Sequence, residues 1–128
     1  MNFSICMTAH PLDGAHRNAI EFCKGLILKS QNISQIFFYQ DAVIAASSLL
    51  VPAQDEFDAQ QQWIGFAQLH NIELKVCVAA AIRRGVLNEA DCKRYNKTQS
   101  NVHDVFTIVG LGDFLTTMDS CDKQVTFG

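Results

Sequence analysis

No stretch rich in proline, glycine or serine interrupts the 128 residues, so no linker is marked and one domain spanning residues 1–128 is expected. A surplus of basic residues is also missing: 10 Lys and Arg stand against 13 Asp and Glu, a net charge of −3. Proteins that grip phosphates unaided cluster Lys and Arg, so autonomous nucleic-acid binding is not expected. No apolar run approaches the roughly 18–20 residues that cross a bilayer. The start, Met1-Asn2-Phe3-Ser4-Ile5-Cys6-Met7, lacks a basic segment ahead of a long apolar one. A cytoplasmic protein without a membrane span is the expectation.

Motif chemistry is sparse as well. The cysteines (Cys6, Cys23, Cys77, Cys92 and Cys121) form no C-x-x-C pair and match no zinc spacing. Free thiols in a reducing compartment are expected, with no metal and no organic cofactor. The patterns G-x-x-x-x-G-K-[ST] and G-x-S-x-G are absent. Gly110-Leu111-Gly112 lacks a third glycine and shows no strong strand ahead of it. Nucleotide hydrolysis and serine-based hydrolysis therefore have no support.

What is present is the patterning of an α/β domain. Phe3 to Thr8 and Ile33 to Tyr39 are apolar, β-branched or aromatic runs suited to buried strands. Between them, Ala19, Ile20, Phe22, Cys23, Leu26 and Ile27 recur at helical spacing from Ala15 to about Ser30. Asp41 opens a short helical segment through Ala46, and a loop containing Pro52 follows. A helix is expected from Asp55, as N-cap, to His70, burying Phe57, Trp63, Ile64, Phe66, Ala67 and Leu69. Ile72 to Val78 is the third strand, and Asn88 caps a short helix through Arg94. Tyr95 to Asp104 is polar and irregular. A last helix over Thr107 to Met118 and a strand over Gln124 to Phe127 complete the order, with a further short strand near Val102 to Phe106 left open. The order implies a mostly parallel sheet of four to five strands with right-handed crossovers.

Cys77 is the candidate working residue. It sits near the carboxyl end of the third strand, where open α/β sheets present their chemistry. The small residues Ala79-Ala80-Ala81 follow, then Arg83 and Arg84. A following helix N-terminus and nearby guanidinium groups both favour thiolate over thiol, and the thiolate is the nucleophile. Alternation places Cys77 opposite Val76 and Val78. Cys6 and Cys23 lie on core-facing positions, Cys92 on a polar helix where exposure is expected, and Cys121 beside Asp119 and Asp122. His10 and His16 flank the first strand–helix turn at the same sheet edge. Whether either assists the thiol, or whether Arg83 or Arg84 does, stays open at this point.

Several runs carry a family resemblance: Met1 to Ile5, Ile36 to Tyr39, Ser48 to Phe57, Gly110-Leu111-Gly112, and above all Leu74-Lys75-Val76-Cys77-Val78-Ala79-Ala80-Ala81-Ile82-Arg83-Arg84-Gly85-Val86. Together they resemble the DsrE-like sulfur-relay family over essentially the whole chain. The resemblance implies a doubly wound, DsrE-like fold of flavodoxin-like topology and sulfurtransferase activity. It implies a persulfide on Cys77, received from a TusA-like donor and passed to a TusE-like acceptor in the 2-thiolation of tRNA wobble uridine. It also implies a dimer of heterotrimers with TusB-like and TusC-like subunits. Two alternatives remain: a non-catalytic scaffold subunit of such a complex, and a carrier of the sulfur-oxidation (DsrEFH) type.

Overall fold

A computed structural model describes residues 1–128. The first two apolar runs become β1 (Asn2–Met7) and β2 (Asn32–Phe38), joined by α1 (Ala15–Leu28). A 3-10 segment (Gln40–Ala46) and α2 (Ala59–His70) lead to β3 (Leu74–Cys77), followed by α3 (Val78–Arg83) and α4 (Glu89–Arg94). The chain ends with β4 (Phe106–Val109), α5 (Leu111–Asp119) and β5 (Lys123–Phe127).

Five strands form one sheet in the order β4-β3-β2-β1-β5, and every pairing is parallel. The chain thus walks one way from β1 to β4, then α5 carries it back across to the far side of β1. Right-handed crossovers require that return helix to lie on the opposite face from α1 and α2. Alternation along β2 sorts the two faces. Phe38 packs edge-on against Trp63 of α2, with ring centroids 5.6 Å apart, whereas Phe37 stacks on Phe114 of α5 at 4.2 Å. The sheet is therefore doubly wound, as expected.

Four local expectations need correction. The last helix does not begin at Thr107. Phe106–Val109 forms a fourth parallel strand beside Leu74–Cys77, and the helix starts only after Gly110. Thr107, Ile108 and Val109 are β-branched, a preference the long-range pairing satisfies. The short strand considered near Val102 to Phe106 is displaced accordingly, and Val102 makes only an isolated antiparallel bridge to Ser47. Strand β4 also supplies the strand ahead of Gly110-Leu111-Gly112 that the sequence did not reveal.

Helix α2 starts at Ala59, capped by Asp58, whose side chain accepts from the Gln61 N–H at 3.1 Å, rather than at Asp55. Phe57 stays outside the helix, with the Arg17 guanidinium 4.4 Å above its ring, and Leu69 faces solvent instead of the core. Asn88, in contrast, caps α4 as expected, its side chain accepting from the Asp91 N–H.

Two buried polar devices join helices to the sheet. On the α1/α2 face, His16 is fully buried; its Nδ1 accepts from the Trp63 indole N–H at 3.0 Å, and its Nε2 lies 2.8 Å from the Ala9 carbonyl. An indole nitrogen only donates, so the imidazole proton sits on Nε2 and bonds Ala9. Burial is the main reason that the His16 pKa falls below its usual value. On the α5 face, the Lys75 ammonium reaches Asp113 at 2.7 Å, Gln35 Oε1 at 3.1 Å and Thr117 Oγ1 at 3.1 Å. Gln35 in turn donates to Ser4 Oγ and to the Phe114 carbonyl.

Two predictions follow from these devices. The unfolded chain takes up a proton on His16 near pH 6.5 while the native state resists it. Stability is therefore complete above that pH and declines as the pH drops below it. Urea unfolding between pH 7 and 5 should show a steeper decline for the wild type than for His16→Gln, and equal slopes would remove His16 as the cause. For the second device, Lys75 is buried but Asp113 is half exposed. Asp113→Ala strands an ammonium and should cost about 2 kcal/mol. Lys75→Met keeps the apolar stem, lets Asp113 rehydrate and should cost about 1 kcal/mol. The reverse order in urea unfolding would show that the pair is not desolvated at Lys75.

Candidate functional site

The site is built where β3 stops. All four residues of β3 are buried, and the parallel ladder sets Cys77 beside Val109 and Val76 beside Phe38. Lys75 and Cys77 share the α5 face, and Val76 points to the other. Alternation ends at Cys77: Val78 is already the first residue of α3 and does not continue the strand as expected. Cys77 therefore occupies the junction itself, with extended backbone (φ −65°, ψ 121°).

A cleft of about 360 Å³ opens there. Cys77 lies at its floor, 3% exposed. It is lined by Tyr39 and Gln40, which follow β2, by Val78 and Ala79 from the first turn of α3, and by Leu111, the first residue of α5. The small side chains after Cys77 keep the approach open, since a bulky residue at Ala79 or Ala80 would fill the space. Gln40 adopts left-handed backbone (φ 50°), a conformation that costs a non-glycine residue about 1 kcal/mol. The turn it makes directs the chain from β2 into the 3-10 segment along the cleft wall.

Arg83 and Arg84 both line this cleft but differ in use. Arg84 Nε donates to Asp41 Oδ1 at 2.8 Å and Nη1 donates to the Ala80 carbonyl at 3.1 Å. Arg83 is exposed and takes no part in the chain's ion pairs.

The other thiols are held in different surroundings. Burial pushes the Cys6 pKa to about 11 and the Cys23 pKa to about 12, so both stay protonated near neutrality. Cys92 is buried, not exposed as expected; its Sγ donates to the Gln99 carbonyl at 3.0 Å, where the segment after α4 folds back over the helix. Cys121 is half-buried, and its Sγ donates to the Thr117 carbonyl at 3.2 Å.

No histidine reaches the cleft. His16 is committed to Trp63 and Ala9, and His10 Nδ1 accepts from the Leu12 N–H. Proton transfer by His10 or His16 at Cys77 is therefore not built into this chain. Nor do three His, Cys, Asp or Glu side chains converge anywhere as a metal site. Sequence reasoning missed Gln40 and Leu111 as cleft walls. Strand β4, directly ahead of Gly110, is the signal that would place Leu111 at this edge of the sheet.

Comparison with known proteins agrees with this architecture. The DsrE/DsrF-like family model matches residues 1–127. A Proteus mirabilis (strain HI4320) protein named Sulfurtransferase TusD is 41% identical over 130 residues, an alignment that covers 99% of this chain and 100% of that protein. A Vibrio cholerae protein named Sulfurtransferase TusD homolog is 42% identical over 111 residues, covering 87% of this chain and 85% of its own length. The crystal structure of the ychN protein from E. coli superimposes with a TM-score of 0.76 at 20% identity, over 99% of each chain, a likeness of fold alone. With a family model matched over residues 1–127 and relatives 41–42% identical over 87–99% of its length, the chain belongs to the DsrE/DsrF-like family.

Proposed function

We propose that this chain is a cytoplasmic sulfurtransferase subunit of TusD type, a single domain over residues 1–128 that carries sulfur as a persulfide on Cys77. The observation that carries the reading is the placement of Cys77: a thiol at a strand–helix junction, the one cysteine that lines the cleft. The names of its relatives supply the reaction class.

The chemistry is a thiol exchange. The Cys77 thiolate attacks the outer sulfur of a donor persulfide, R–S–SH; a bond forms between Cys77 Sγ and that sulfur while the donor S–S bond breaks. The products are Cys77–S–SH and R–S⁻, so atoms and charge balance without an external oxidant or reductant. Repeating the exchange with an acceptor thiolate discharges the sulfur and restores Cys77. In this reading a TusA-like protein is the donor and a TusE-like protein the acceptor. TusB-like and TusC-like subunits complete a dimer of heterotrimers, and the sulfur ends in the 2-thiolation of tRNA wobble uridine. The net charge of −3 suits a subunit that hands sulfur to proteins and leaves the RNA to others.

A second reading takes support from the 3% exposure of Cys77: a scaffold subunit whose cysteine is only packed. Labelling separates the two. Under native conditions a small alkylating reagent should modify Cys77 ahead of the buried Cys6 and Cys23. Incubation with a persulfide donor should add one sulfur at Cys77 by mass spectrometry, and Cys77→Ser should add none. An inert Cys77 in the folded protein would leave the scaffold reading, and sulfur appearing on another cysteine in Cys77→Ser would move the site.

A further inference from the structure

We propose that Arg83 selects the incoming sulfur carrier, favouring a persulfide borne on an acidic segment of chain; this rests on the sulfur-carrier reading of Cys77. No carboxylate lines the cleft, and its two ionised side chains, Arg83 and Arg84, are both cations. Their positions give them different tasks. Arg84 is neutralised by Asp41 and tied to the Ala80 carbonyl, so it acts as a strut between α3 and the 3-10 segment. Arg83 has no acidic partner: the chain's ion pairs are Lys24–Glu21, Lys75–Asp113 and Arg84–Asp41.

Depth then assigns the roles. Cys77 is 3% exposed, while Arg83 lines the same cleft and is exposed to solvent, which leaves its guanidinium free to meet a segment that brings sulfur to Cys77. Leu111 also lines the cleft, and Leu115 lies one turn further along α5; both are exposed and uncharged. A single uncompensated positive charge therefore sets the sign of the cleft. The chain as a whole carries −3, which offers an acidic partner no long-range attraction. Selection must act at short range, after the segment has entered, where the planar guanidinium can pair with a carboxylate.

The test compares three donors on the full chain: two cysteine-persulfide peptides of equal length, one with Glu and one with Lys flanking the cysteine, and free cysteine persulfide. The readout is the rate of sulfur addition at Cys77 by mass spectrometry. At low salt the wild type should load from the acidic peptide about three- to fivefold faster than from the basic one, the size of an exposed ion pair, and high salt should shrink the ratio. Arg83→Gln should bring the ratio near one, and Arg83→Glu should invert it. Equal rates in the wild type would overturn the proposal. So would a preference that survives Arg83→Glu, or a loss in Arg84→Gln as large as in Arg83→Gln. Failure of all three donors to load wild-type Cys77 would remove the sulfur-carrier reading and this inference with it. Loading from free cysteine persulfide, without charge preference between peptides, would remove only the role of Arg83.

Discussion

The short strand β3 pairs with β2 over three residues, Leu74 to Val76, and with β4 over four, Leu74 to Cys77, and the geometry of the cleft hangs on where those ladders stop. Parallel pairing fixes Val76 against Phe38 on one side and Cys77 against Val109 on the other. Each neighbour then runs one step past the sheet. After Phe38 come Tyr39 and Gln40; after Val109 come Gly110 and Leu111. The walls around the sulfur are thus the continuations of the strands that clamp β3. A one-residue slip in either ladder would turn side chains to the opposite face and dismantle the wall.

Beneath the same face, Lys75 holds α5 to the sheet through Asp113 and Thr117, and Gln35 reaches the Phe114 carbonyl. A buried ammonium is costly unless every proton is received, and here three acceptors receive it. The network links β1, β2 and β3 to the helix that contributes Leu111. Position of the α5 start relative to Cys77 is consequently a matter of directed hydrogen bonds as well as of the Phe37–Phe114 stack. The opposite face relies on aromatic packing around Phe38 and Trp63, with one imidazole satisfied on both nitrogens.

Much of this was legible in the sequence because it is local. Helical spacing in α1, the apolar runs of β1 and β2, the Asn88 cap and the position of Cys77 at a strand end all depend on near neighbours. What escaped depends on distant ones. Strand β4 has four residues and becomes a strand only by pairing with β3. Phe57, just ahead of the Asp58 cap, packs under Arg17 of α1, a contact between distant residues. Cys92 lies on a polar helix yet is covered by the segment that returns to it at Gln99. Lys75, a cation in an apolar strand, gave no sign of its acceptors, which come from β2 and α5. Arg83 and Arg84 are adjacent and chemically alike, and only Asp41, brought over by the 3-10 segment, tells them apart.

The chain has a single tryptophan, and the fold seals it on the α1/α2 face, fully buried and bonded to His16. Cys77 opens on the other face. Intrinsic emission from Trp63 therefore reports whether the sheet and its first two helices are intact, from the face opposite the thiol. Integrity and reactivity can be followed in one cuvette, because this protein keeps its fluorophore and its sulfur on opposite sides of the same layer of strands.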